Sequence, residues 1–151
     1  MAVTDSTSDF PILLVDDDDL DIKSFRWAFQ NAGLDHPILA ASDGASAMKY
    51  LRLAERHRGD GSSEHAPRPG LVLIDYRMPR LNGLDVLRLI RSDPVLDPIP
   101  VLIMTTCVNS QQTKDCYRAG AAGVLQKPSE LEELENTARI IHAYWSLCAL
   151  P

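Results

Sequence analysis

Five short apolar runs are spaced along this chain, and nearly every one ends in a residue that can do chemistry. Ile12-Leu13-Leu14-Val15 runs into Asp16, Leu71-Val72-Leu73-Ile74 into Asp75, and Val101-Leu102-Ile103-Met104 into Thr105. Gly123-Val124-Leu125-Gln126 runs into Lys127, and Pro37-Ile38-Leu39-Ala40-Ala41 supplies the remaining run. Runs of this length without polar alternation read as strands buried on both faces. Between them lie segments of helical period: Ile22, Phe25, Phe29 and Ala32; Ala47, Met48, Leu51 and Ala54; Leu84, Leu87 and Ile90; and a polar segment over residues 109–119. Asn31-Ala32-Gly33 and Gly120 supply stops, and Ser129 with Glu132 three residues on forms a capping-box pattern for a last helix.

Strand and helix alternate five times, which predicts an α/β fold with a parallel sheet covered by helices on both sides and right-handed crossovers. In open sheets of this kind the functional site lies off the carboxyl ends of the strands. Those ends here carry Asp16 and Asp17, Asp75, Thr105 and Thr106, and Lys127. Asp18 and Asp19 are accounted for by capping the first helix. The other residues, from four separate strands, have a common explanation in phosphoryl transfer. Crowded carboxylates repel one another and call for a hard divalent cation such as magnesium, which takes oxygen ligands. A carboxylate can then act as nucleophile and form an aspartyl phosphate, with the lysine and a threonine hydroxyl meeting the phosphoryl oxygens.

Composition narrows the function classes. The chain has 151 residues, 45% hydrophobic and 24% charged, enough for one domain with a core. Its net charge of −6 argues against a nucleic-acid partner. No apolar run approaches the roughly 20 residues of a membrane span, and the N-terminus lacks the pattern of a secretion signal, so a cytoplasmic location is expected. Cys107, Cys116 and Cys148 lack metal-type spacing and read as reduced thiols, and the four histidines are scattered. The expected layout is a flexible tail over 1–10, one domain over 11–147 and a tail over 148–151. Within it, residues 57–70, rich in Gly, Pro, Ser and charge, form a long loop before the third strand.

The motifs ILLVDD (12–17), LVLIDYRMPRLNGLDVL (71–87), PVLIMTT (100–106) and AGAAGVLQKP (119–128) together resemble the receiver domain of bacterial response regulators. The resemblance implies a flavodoxin-like fold with strand order 2-1-3-4-5. It implies that Asp75 accepts a phosphoryl group from phosphohistidine on a sensor histidine kinase. It implies a magnesium site at Asp17 and Asp75, the backbone carbonyl of Arg77, and Asp16 acting largely through water. Thr105 matches the switch hydroxyl, Lys127 the conserved-type lysine, and Lys127–Pro128 a position where the family has a cis peptide. Two features depart from the pattern. Val124 stands where an aromatic switch partner is usual, and β-branched valine is too stiff to replace a swinging ring. Arg77 follows the acceptor by two positions, either as a solvated surface residue or as a guard of the site mouth.

Partner surfaces are also suggested. The last helix carries Leu131, Leu134, Ala138, Ile141 and Trp145 as a sheet-facing stripe, with Ile140, Tyr144, Leu147 and Cys148 widening it toward the C-terminus. That second set, with Trp145 and Val124, is a candidate homodimer contact. Leu20 and Trp27 project from the first helix away from its stripe and are candidates for contact with a kinase or a second copy. The loop ending Pro67-Arg68-Pro69 and the YWSLCALP terminus resemble stand-alone receivers paired with bacterial phytochromes. That would imply a light-linked kinase, a homodimer, and no DNA-binding output domain. Competing readings are a receiver that works as an interaction module without phosphorylation, and an aspartyl-phosphate hydrolase of the haloacid dehalogenase type. The latter places its nucleophile on the first strand in a DxD pattern.

Overall fold

The computed structural model describes residues 10–56 and 66–151. Five strands and five helices alternate: β1 (Ile12–Val15), α1 (Asp19–Asn31), β2 (Ile38–Ala41), α2 (Gly44–Arg56), β3 (Leu71–Asp75), α3 (Gly83–Ser92), β4 (Val101–Thr105), α4 (Ser110–Arg118), β5 (Gly123–Gln126) and α5 (Leu131–Trp145). All strands are parallel, in the order β2-β1-β3-β4-β5. This is the parallel α/β sheet expected from the strand-and-helix alternation, in the flavodoxin-like order that the receiver resemblance implies.

The two-residue period of the strands divides the molecule into two cores. Leu13, Val15, Val72, Ile74, Val101 and Ile103 face α2, α3 and α4, where they meet Met48, Leu51, Leu84, Leu87, Ile90 and Cys116. Ile12, Leu14, Leu71, Leu73, Leu102 and Met104 face α1 and α5, against Ile22, Phe25, Phe29, Leu134, Ala138 and Ile141. Both faces of the central strands are therefore dry, which explains their uninterrupted apolar sequence.

Local chemistry fixes the joints. Asp18 caps α1 by accepting from the Leu20 N–H at 2.9 Å, and α3 opens with a reciprocal capping box between Asn82 and Asp85. A Cβ on Gly83 would lie 2.7 Å from the Asp75 carbonyl oxygen and 2.9 Å from the Tyr76 Cα, so only glycine lets α3 start this close to the end of β3. Arg91 pins three carbonyls: Asp97 at 2.6 Å, Ile99 at 2.9 Å and Gly120 at 2.8 Å, tying the turn before β4 to the turn before β5.

Several expectations need correction. The capping box expected at Ser129 is absent. The Lys127 N–H is held by the Thr105 carbonyl at 2.7 Å, and Pro128 and Ser129 are used in leaving β5. The cap therefore falls one residue later, on Glu130, whose side chain makes no capping bond. Leu131 is exposed rather than sheet-facing, because at the start of α5 it borders an open groove with Asp21, Ser24 and Phe25. The Lys127–Pro128 peptide is trans, the lower-energy form even before proline. Two of the scattered histidines meet: the Nε2 of buried His36 lies 2.7 Å from the Nδ1 of His142, while His36 Nδ1 faces the Phe10 carbonyl at 3.0 Å. The expected tails also take part in packing. Phe10 lies over the His36 ring, with centroids 4.4 Å apart, and both Phe10 and Leu150 crowd the space beside Gly70. The rest of the expected N-terminal tail, and residues 57–65 of the expected loop, lie outside the described residues. The described end of that loop is anchored by Arg68 on Glu55 at 2.8 Å and by the Tyr50 hydroxyl on the Pro67 carbonyl at 2.6 Å.

Candidate functional site

Strand parity decides which residues meet. Asp16 continues the Ile12–Leu14 row, Asp75 the Leu71–Leu73 row, and Lys127 follows Leu125, so all three emerge on the α1/α5 side of the sheet. Thr105 continues the Val101–Ile103 row and emerges on the other side.

Asp16, Asp17 and Asp75 each bring a carboxylate oxygen to within 4.8 Å of the others. Asp16 is fully buried, Asp75 is buried and Asp17 is exposed. One Asp16 oxygen accepts from the Asp18 N–H at 3.0 Å, and the other accepts from the Lys127 ammonium at 2.6 Å. The same ammonium lies 3.6 Å from Asp75 Oδ2 and donates to Asp21 Oδ2 at 2.5 Å.

The electrostatics follow from that crowding. Burial, with the charges of Asp16 and Asp17 added, raises the Asp75 carboxyl to about 6, although Lys127 and the Arg77 N–H pull the other way. Burial also raises Asp16 against the opposing pull of Lys127 and the Asp18 N–H. For Lys127, burial favours the neutral amine, but the hydrogen bonds to Asp16 and Asp21 outweigh it and raise its pKa. The ammonium is therefore a fixed positive charge. The three carboxylates remain under-neutralised, since the one lysine is shared among Asp16, Asp21 and Asp75 and does not contact Asp17. All-oxygen donors, two of them buried and close together, fit a hard divalent cation.

The remaining predicted residues fall into place or outside it. Thr105 is buried; its hydroxyl donates to the Cys107 carbonyl at 3.0 Å and accepts from the Cys107 N–H at 3.3 Å, so it now closes the turn after β4. Thr106 and the Arg77 side chain are exposed, and Arg77 touches the site through its backbone N–H on Asp75. Val124 pairs with Ile103 and is half-buried on the α3/α4 side. Trp145 is half-buried against the α1/α5 core, with Tyr144 packed edge-on to it at 4.7 Å. Leu20, Trp27, Ile140, Tyr144 and Leu147 are exposed. Sequence reasoning missed Asp21. It sits in the acidic first turn of α1, where a carboxylate is already explained by the helix dipole, and its lysine partner is 106 residues away.

A family model described as the response regulator receiver domain matches residues 12–139. The chain belongs to that family. Among relatives of this receiver, the probable methanogenesis regulatory protein FilR2 of Methanothrix harundinacea is 34% identical over 95% of this chain and 88% of its own length. Response regulator Rcp1 of Synechocystis is 31% identical over 89% of this chain and 87% of its own. The crystal structure of Rcp1 in its Mn(2+)-bound form superposes with a TM-score of 0.77, covering 94% of this chain and 99% of that one. The phosphorylated cyanobacterial phytochrome response regulator RcpA is 32% identical, with a TM-score of 0.80 over 95% of this receiver and 99% of its own chain. Membership sets aside the haloacid dehalogenase reading: the protein is a two-component response regulator, a signalling protein. Among the described residues no helix is long and apolar enough to cross a membrane.

Proposed function

We propose that Asp75 is the phosphoacceptor of this receiver and that a sensor histidine kinase is its donor. One observation carries the reading. Asp75 ends the central strand with two acidic neighbours within 4.8 Å and a lysine ammonium 3.6 Å from its carboxylate. A carboxylate oxygen attacks phosphorus as the P–N bond of the kinase phosphohistidine breaks; the bonding pair stays on that nitrogen, and the histidine, its other ring nitrogen already protonated, leaves as neutral imidazole. Transfer of this kind is catalysed mainly by positioning and charge neutralisation. Asp16, Asp17, Asp75 and the Arg77 carbonyl would hold Mg2+, which when bound neutralises the phosphoryl oxygens. Lys127 meets one phosphoryl oxygen. Thr105 meets another once its hydroxyl leaves Cys107, and that exchange couples the turn after β4 to the phosphorylation state. With Val124 in place of an aromatic, the consequence is carried by this turn and by an interface. Thr106 and Arg77 flank the site from solvent.

The protein is a phosphoacceptor rather than a turnover enzyme, it acts in the cytoplasm, and it signals through protein contacts without nucleic acid. Its kinship with Rcp1 and RcpA supports a bacteriophytochrome as the kinase. Exposed Ile140, Tyr144 and Leu147 on and after α5, beside half-buried Trp145, support a homodimer, and exposed Leu20 and Trp27 support a kinase contact on α1. The test is phosphotransfer profiling from radiolabelled kinases to the wild type and to Asp75→Asn. Labelling is expected for the wild type alone; label retained on Asp75→Asn overturns the assignment.

A further inference from the structure

Lys127 and a divalent cation compete for the same carboxylates. The ammonium donates to Asp16 at 2.6 Å and lies 3.6 Å from Asp75. It thus occupies two of the three acids of the cluster. A cation ligated there must displace it. The ammonium cannot simply move into water, since the lysine side chain is 9% exposed and its backbone N–H is tied to Thr105. A buried cation stripped of its partner is costly. Asp21 resolves the conflict. It makes the shortest of the three lysine contacts, at 2.5 Å, and comes from α1 rather than a strand end. It lies outside the group of carboxylates close enough to share an ion.

We infer that Asp21 is a positioning residue, the counter-ion that keeps Lys127 in place when a divalent cation takes Asp16 and Asp75. This rests on the reading that the acidic cluster is the cation site. A favourable charge for the helix start explains an acid in this turn, and Asp19 serves that purpose equally, but it does not explain the bond to Lys127. Asp21 acts through the lysine, so its effect on cation affinity should vanish when the lysine is neutral.

The test is titration of the full chain with Mn2+, following free ion by electron paramagnetic resonance. A charged hydrogen bond that is about a third exposed is worth roughly a five- to tenfold loss, so Asp21→Asn should weaken Mn2+ binding by about that much. Asp21→Glu, which keeps the charge, should come back to within about twofold of wild type. Lys127→Gln should bind Mn2+ more tightly, having lost the competitor. Adding Asp21→Asn to Lys127→Gln should then change affinity by less than about twofold. Wild-type affinity in Asp21→Asn, or the same loss with and without Lys127, overturns the role of Asp21. Asp17→Asn separates the two levels. If it leaves Mn2+ affinity unchanged, the cluster is not the cation site and the role of Asp21 fails with it. If it abolishes binding while Asp21→Asn binds normally, only the role of Asp21 fails.

Discussion

Neutralising Asp75 should make the metal-free protein more stable. The carboxyl is raised from the ordinary 3.8 to about 6, chiefly by burial. At about 1.36 kcal/mol for each tenfold change in proton affinity, that rise corresponds to about 3 kcal/mol. The sign is set by which state binds the proton more tightly. The folded protein does, so above about pH 6 it carries an ionised group that the unfolded chain carries freely. The penalty is complete above pH 6, shrinks as the pH falls, and is gone below about 3.8. Asp75→Asn removes it while leaving Lys127 its bonds to Asp16 and Asp21. In EDTA at pH 7 the variant should be more stable than wild type by up to about 3 kcal/mol. For a chain of this size that amounts to a rise in Tm of about 6–12 °C. The gap should narrow between pH 7 and 4.5, measured by urea unfolding at each pH. Millimolar Mg2+ should also narrow it, by stabilising only the wild type. Equal stabilities in EDTA at pH 7, or a gap that does not change with pH, would refute the reasoning.

Two further outcomes follow from packing. Gly83→Ala places a methyl 2.7 Å from the Asp75 carbonyl and 2.9 Å from the Tyr76 Cα, backbone atoms that cannot swing aside. It should cost about 2–3 kcal/mol in denaturant unfolding, and a change within about 0.5 kcal/mol would contradict the close approach. If the proposed homodimer forms through α5, Ile140→Asp should shift it to monomer in sedimentation velocity, Ile140 being 59% exposed within one chain; an unchanged sedimentation coefficient would refute that interface.

How much of this was legible beforehand depends on the range of the interaction. The strands could be read because burial on both faces leaves no polar alternation. The site could be read because each strand delivers its terminal residue to one edge. α1 could be read from its local cap at Asp18, and α3 from the helical period of Leu84, Leu87 and Ile90. The start of α5 could not, since the backbone bond from Lys127 to Thr105 decides it, and no sequence window contains both residues. The same holds for Asp21 with Lys127 and for His36 with His142, each separated by 106 residues. Leu131 fits the helical period of its stripe, yet it faces a groove because the period says nothing of where the sheet ends. Arg91 ties the nearby carbonyls of Asp97 and Ile99 to that of Gly120, 29 residues on, a link that no local window contains.

The division of the sheet into two cores has a consequence for how a message leaves the site. Every charge in the cluster that comes from a strand row stands on the α1/α5 side, so a phosphoryl group there is first felt by those two helices. The α3/α4 side is walled off by a dry layer of Val101, Ile103 and their neighbours. Thr105, at the rim of that wall, is a buried polar strand-end residue on the far side, and its hydroxyl is already engaged with the turn leading into α4. The sheet thus works as a partition with a doorway at Thr105. With Asp75 as the proposed phosphoacceptor, a kinase on one side and an effector on the other would address the same aspartate without competing for surface, through the turning of the Thr105 hydroxyl.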